Sequence, residues 1–170
     1  MSTATYEVLE QVCHPVLNSL SHSVFKQPSS QVLGRVTTPI TVANLVDQIM
    51  AIRGTIPREQ IRTITLENVL VDTGATRLCL PADIIQFLGL VVDRDVDVKL
   101  AVGFRKLRSF KGVSLSVQGR EGTFNCLELP PGEHPLLGLI PLEDLGLDLD
   151  MVHQRLRVLP SEGRDTYLMM

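Results

Sequence analysis

One tripeptide in the chain has the composition of a hydrolytic centre. Asp72-Thr73-Gly74 follows directly on Val69-Leu70-Val71, three residues that belong in a core. A carboxylate at the end of such a run is costly to bury unless it gains a partner, hydrogen bonds or water. Gly74 lets the backbone turn sharply and bring an N–H toward the carboxylate. Thr73 adds a hydroxyl able to bond neighbouring backbone. A carboxylate held this way can act as a general base on a water molecule. The same tripeptide also suits an Asx turn at a strand end. At average residue usage it arises by chance in about three chains of this length in a hundred. Its surroundings therefore have to decide.

Other chemistries are poorly represented. Cys13, Cys79 and Cys126 are far apart, and no CxxC or HxxxH spacing occurs, which argues against structural zinc. They are expected as small buried thiols in a reducing compartment. His14, His22, His134 and His153 show no ligand spacing and read as surface or loop residues. Walker A, GxGxxG and GxSxG patterns are missing. No metal and no cofactor is expected. With 16 basic and 19 acidic residues the net charge is −3, so the chain lacks the basic surplus of a nucleic-acid binder. Seven aromatics (Tyr6, Phe25, Phe87, Phe104, Phe110, Phe124 and Tyr167) are too few for a base-stacking platform.

The elements that must position Asp72 read mostly as short strands. Val36–Ala43 is rich in Val, Ile and Thr, and a turn at Asn44 predicts a return strand over Val46–Arg53. Ile61–Leu66 alternates, and Val69–Val71 predicts a strand buried on both faces. Pro81–Gly89 predicts a short helix, with proline at its start and glycine just past its end. Val96–Val102 and Val113–Val117 alternate and bracket Gly103-Phe104-Arg105, which predicts a hairpin. A turn over Gly119–Gly122 precedes a strand over Thr123–Leu129. Pro141–Gly146 predicts a second short helix, and Leu147, Leu149, Leu156 and Val158 a closing hairpin. Asp83, and likewise Glu143 and Asp144, are expected early on their helices, where a carboxylate complements the dipole. Asp148 and Asp150 are expected to face solvent. Arg105, Lys106, Arg108 and Lys111 read as a solvated hairpin tip that blunts edge pairing; a preference for acidic substrate residues is the sharper alternative.

These residues together resemble the retropepsin-like aspartic proteases, the small bacterial and cellular relatives of the retroviral enzymes. The resemblance covers about residues 34–160. It is sharpest at Val71-Asp72-Thr73-Gly74-Ala75 and at Leu136-Leu137-Gly138-Leu139-Ile140-Pro141-Leu142. It implies an all-β fold, a closed barrel with two short helices that forms half of a two-fold dimeric acid protease. Asp72 would be the catalytic carboxylate. Thr73 would bond across the dimer to the opposite active-site loop, and Gly74 and Ala75 would support that loop. Leu136, Leu137 and Gly138 would lie under it, and Val102, Gly103 and Phe104 would form the flap over the substrate. The retroviral flap is glycine-rich, whereas here Gly103 runs into Phe104-Arg105-Lys106-Leu107-Arg108.

A dimer follows from the chemistry. Hydrolysis by this route needs two carboxylates around one water, and only one Asp-Thr-Gly occurs in 170 residues. The expectation is a homodimeric aspartic endopeptidase acting on a peptide or protein substrate. The alternative is a non-catalytic dimerisation or peptide-binding module on the same fold. Residues 1–33 carry Leu9, Val12, Cys13, Val16, Leu17, Leu20 and Val24 at helical spacing around Pro15, and Gln27–Gln31 reads as a linker. This extension is either a helix packed on the domain or an arm. Residues 161–170 read as a loose tail. No apolar window reaches the ~18 residues of a spanning helix, and the first ten residues lack a signal-peptide pattern. No membrane association and a cytoplasmic location are expected.

Overall fold

Nine strands and three short helices occur among the described residues, 35–100 and 103–160, of a computed structural model. The expected N-terminal extension, Cys13, His14, His22, Val102 and the C-terminal tail lie outside the described residues. β1 (Thr37–Asn44) pairs antiparallel with β2 (Thr63–Val71) and, through its second half, with β5 (Gly103–Val117). β3 (Leu78–Pro81) runs parallel to β6 (Arg120–Leu129), and the two-residue β7 (Leu136–Leu137) joins the same sheet. The hydrogen-bonded order β1-β2-β7-β3-β6-β5 returns to β1, so six strands close a ring. β4 (Val91–Leu100) hangs from the first half of β5 as the outer arm of a long hairpin. The protein is thus mostly β. Inside the ring, Val36, Ile40, Val42, Val69, Leu78, Leu80, Val113, Leu115, Val117 and Leu137 pack together with almost no exposure.

Several expectations need correction. The return strand over Val46–Arg53 is instead a helix, α1 (Leu45–Ile52). Asn44 decides this: its side-chain oxygen accepts from the Val46 and Asp47 N–H groups at 2.8 and 3.2 Å, an N-cap worth ~1 kcal/mol. Its amide also donates to the Leu88 carbonyl at 2.9 Å, which fixes the cap to the next helix. Asp47, buried in the first turn, receives a two-pronged bond from Arg62 at 2.7 and 2.8 Å and the Arg62 backbone N–H at 3.1 Å. The side-chain bond from Arg62 holds the Asp47 carboxyl below its ordinary value.

The predicted helix at Pro81 is α2 (Ala82–Leu88), with Pro81 as its N-cap and Gly89 left-handed at φ 60° as its C-cap. The last helix, α3 (Leu139–Asp144), begins two residues before Pro141. Among the described residues there are three helices, not two, plus a single 3-10 turn at Arg58–Gln60. Glu143 and Asp144 therefore stand in the last turn of α3, not the first, and both are exposed. Leu70 is only half-buried, so the strand before Asp72 is not covered on both faces. The turn after β5 is tighter than expected: Gln118 and Gly119 both take positive φ (47° and 79°), the twist-matched two-residue hairpin geometry, and β6 starts at Arg120.

The basic residues after Gly103 are not a hairpin tip. They run along β5, where Arg108 grips Glu128 with two bonds at 2.7 and 2.6 Å and Lys111 pairs with Asp93 at 2.9 Å. The closing hairpin forms as β8 (Leu147–Asp150) and β9 (Arg155–Val158). Of its carboxylates, Asp148 keeps an exposed side chain, as expected, and pairs with Arg157, whereas the Asp150 side chain is only 11% exposed and bonds His153 at 2.8 Å.

Candidate active site

Asp72 stands one residue past the end of β2, where the strand leaves the ring. Two neighbours hold this exit. Val71 donates its N–H to the Val36 carbonyl at 2.9 Å, and Asp72 donates its own N–H to the Leu137 carbonyl at 3.0 Å. β7 thus lies between the strand that enters the loop and the strand that leaves it. Leu136 and Leu137 run parallel to Leu70 and Val71, while Leu136 faces Cys79 of β3 in antiparallel register. The loop is closed on itself by the Ala75 N–H to the Asp72 carbonyl at 3.1 Å.

The carboxylate is half-buried, and its Oδ1 accepts the Gly74 N–H at 2.9 Å. A Cβ on Gly74 would sit 3.1 Å from that oxygen, so a side chain there would crowd the group it positions. Thr73 is exposed. Its hydroxyl makes no hydrogen bond within the chain among the described residues, contrary to the expectation that it would bond neighbouring backbone.

Gly138 locks the loop onto α3. A Cβ there would lie 2.4 Å from the Arg77 carbonyl oxygen and 2.7 Å from both the Ala75 oxygen and the Arg77 nitrogen. Only a residue without a side chain lets the two backbones come this close. The approach allows Leu139 N–H to reach the Ala75 carbonyl at 2.8 Å and Ile140 N–H the Thr76 carbonyl at 3.0 Å. The first turn of α3 thereby spends its unpaired N–H groups on the carbonyls of the Asp72 loop.

In front of the loop lies a cleft of about 690 Å³. Its loop side is Asp72, Gly74, Ala75, Thr76 and Arg77, and its floor is Cys79, Leu127, Leu129 and Leu136. The β4–β5 hairpin supplies the facing wall through Val96, Asp97, Val98, Lys99 and Leu107. The expected flap residues Gly103 and Phe104 do not line it. They sit at the hairpin tip, with Gly103 at φ 87° and Phe104 77% exposed. Of the cleft residues beyond the Asp72 loop, Leu136 was expected under that loop, while Val96, Asp97, Val98, Lys99, Leu107, Leu127 and Leu129 were not singled out as site residues by sequence reasoning. Val96 and Val98 were legible as an alternating pair, and their register opposite Leu107 and Arg105 sets the cleft-facing side.

Burial, with a smaller contribution from the Asp72 carboxylate, pushes the Cys79 thiol up to about 11. Burial pushes Cys126 up to about 12. Both are therefore protonated, apolar fillers at neutral pH and not nucleophiles. Leu78 is the register partner of Cys126, and Cys79 that of Leu127, so the two thiols point to opposite faces of the sheet. Among the described residues no group of three or more metal-ligating side chains occurs. Nor, among these described residues, is any helix long and apolar enough to cross a membrane. No protein-family model matches the chain, and no curated protein sequence matches it.

Proposed function

We propose that the chain is one half of a retropepsin-like aspartic endopeptidase, with Asp72 as its catalytic carboxylate. The observation that carries this reading is the placement of Asp72. It stands at the mouth of an apolar cleft, its oxygen held by the Gly74 N–H and its backbone tied to β7, opposite a long hairpin. In the proposed homodimer two such loops meet on a two-fold axis, and the exposed Thr73 hydroxyl bonds the partner's loop. Two carboxylates about 3 Å apart repel by roughly 5 kcal/mol at an effective dielectric near 20. As in aspartic-protease dyads generally, they then share one proton. The ionised carboxylate takes a proton from the water between them. The protonated one donates to the carbonyl oxygen of the scissile peptide as the tetrahedral intermediate forms. Val96, Val98 and Leu107 would cover the extended substrate and exclude bulk water. Two unpaired, buried thiols fit a reducing compartment such as the cytoplasm.

The deciding experiment is a peptide-library digest at several pH values, wild type beside Asp72→Asn. Hydrolysis by wild type and none by the variant is the expected result; equal cleavage by both would refute the assignment. A second reading, a peptide-binding module without hydrolysis, draws on the β4–β5 hairpin. That hairpin is paired along almost its whole length, with Gly103 the one glycine at its described tip. That reading expects peptide binding by both proteins and turnover by neither.

A further inference from the structure

The cleft contains a cation with nothing to pair with. Among the described lysines and arginines, only Arg77 and Arg120 are half-buried; all the others are exposed. Arg120 donates to the Leu159 carbonyl at 3.2 Å. Arg62, Arg108, Lys111, Arg155 and Arg157 each have a carboxylate partner. The Arg77 side chain has neither a carboxylate within ion-pair distance nor a hydrogen bond among the described residues. A half-buried arginine without an anion leaves the donors of its planar guanidinium free for a ligand's acceptor.

Its position is fixed rather than accidental. The Arg77 backbone is clamped against Gly138, and its carbonyl accepts the Cys79 thiol at 3.5 Å. The residue lines the Asp72 cleft and also a smaller hollow of about 330 Å³ shared with Phe124, Asn125 and Ile140. That hollow has no carboxylate in its lining. In the cleft the only carboxylates are Asp72, bonded to Gly74, and the exposed Asp97 on the far wall, where Lys99 stands beside it. The rest of the lining is largely apolar.

We propose that Arg77 is a specificity determinant of this cleft, receiving the side-chain carboxylate of an aspartate or glutamate in the bound peptide. The proposal rests on the protease reading only in taking the cleft as a peptide site. Arginine suits the role because its planar fork matches a carboxylate with two parallel bonds, which lysine cannot do. The apolar floor takes the neighbouring side chains of the peptide. A neutral glutamine at the same substrate position would leave the guanidinium unpaired as it is now.

The test uses an amide-capped positional peptide library, so that no chain-terminal carboxylate is present. It is read in two ways: binding to the full-length Asp72→Asn protein, and cleavage by the full-length protein with Asp72 intact. Aspartate and glutamate should be enriched over asparagine and glutamine at one position by about tenfold or more, the size expected of a charge-assisted pair. In Arg77→Gln that ratio should fall to near one. Arg77→Lys should keep part of it, and Arg77→Glu should move the preference to lysine and arginine at the same position. A purely structural role would lower overall binding but leave the ratio unchanged, and that result overturns the proposal. Enrichment that depends on Arg77, without any cleavage, upholds the Arg77 site and removes the protease reading. Cleavage without acidic enrichment does the reverse, and neither binding nor cleavage overturns both.

Discussion

Replacing Gly138 by alanine should cost more than any other single-methyl change near the site, and the structure fixes how much. The backbone here is extended (φ −87°, ψ −178°), so alanine meets no conformational penalty. The whole cost is steric. The new methyl would lie 2.4 Å from the Arg77 oxygen, with two more backbone atoms at 2.7 Å, where contacts below 3.0 Å are not tolerated. Relief needs a separation of at least ~0.6 Å between the Asp72 loop and the start of α3. That movement stretches the Leu139–Ala75 bond from 2.8 Å and the Ile140–Thr76 bond from 3.0 Å beyond useful length. Overpacking costs ~1–3 kcal/mol and each lost bond ~1 kcal/mol, for a total of ~3–5 kcal/mol. With a urea m-value of ~2 kcal/mol/M, the unfolding midpoint should fall by ~1.5–2.5 M. Gly54→Ala is the matched control. Its site is open but sits at φ 72°, so it should lose only ~1 kcal/mol through backbone conformation. A Gly138→Ala midpoint within ~0.3 M of wild type would refute the account of how α3 is joined to the loop.

Other outcomes follow from the same geometry. Asp47→Ala removes the acceptor of three Arg62 bonds and should lower Tm by roughly 2–12 °C, from ~1–3 kcal/mol at ~2–4 °C per kcal/mol; a shift below ~1 °C would count against the pairing. Because the folded Asp47 carboxyl lies below its ordinary value, its stabilisation is complete above about pH 4 and is lost as the pH falls through the folded value. The stability gap between wild type and Asp47→Asn should therefore be flat from about pH 7 to about pH 5 and close below about pH 4, as read by urea titration. With Cys13 replaced by serine, native protein at pH 8 should resist thiol reagents, because Cys79 and Cys126 are buried and held at about 11 and 12; rapid labelling before unfolding would contradict this. Thr73→Val should leave the monomer as stable as wild type but weaken the proposed dimer and its activity most at low concentration, whereas Thr73→Ser should behave nearly as wild type in sedimentation and activity on one dilution series.

Much of the strand framework was readable because half-buried strands alternate. The pairs Val96/Val98, Val113/Leu115 and Leu147/Leu149 signal their strands with a period of two, and β4, β5, β8 and β9 form there. Helix α2 was readable from Pro81 and Gly89, whose backbone preferences are local. Helix α1 was not, because three of its apolar residues, Val46, Ile49 and Ile52, are β-branched and stand exposed rather than marking a buried face. The deciding signals were Asn44 as cap and Asp47 in the first turn, and the second needs Arg62, fifteen residues away. The start of α3 was misjudged for the opposite reason. Pro141 looks like a helix start, but the first N–H groups of α3 are satisfied by carbonyls of the Asp72 loop, a tertiary fact absent from the local sequence.

The same distinction applies to the site. Asp72, Thr73 and Gly74 are consecutive, so their hydrogen-bonding relation could be anticipated from the tripeptide. The cleft in front of them is assembled from distant segments: Gly74–Arg77 with Cys79, Val96–Lys99 with Leu107, Leu127 with Leu129, and Leu136. No short pattern encodes that meeting. It comes about because β7, only two residues long, bonds β2 on one side and β3 on the other, and because β5 is long enough to pair with β4 along its first part and β1 along its last, while β6 pairs across the junction of the two. One strand thus braces the ring and also carries the hairpin over the carboxylate. A change at the ring end of β5, such as Leu115→Ala, should therefore disturb the hairpin as well as the core, although Leu115 lies outside the cleft. A cavity-forming loss of ~2–5 kcal/mol is expected from the core alone. Faster amide exchange in Val96–Leu107 than in β8–β9 would be the sign of the shared strand, and equal changes in both would show that β5 does not couple the ring to the hairpin.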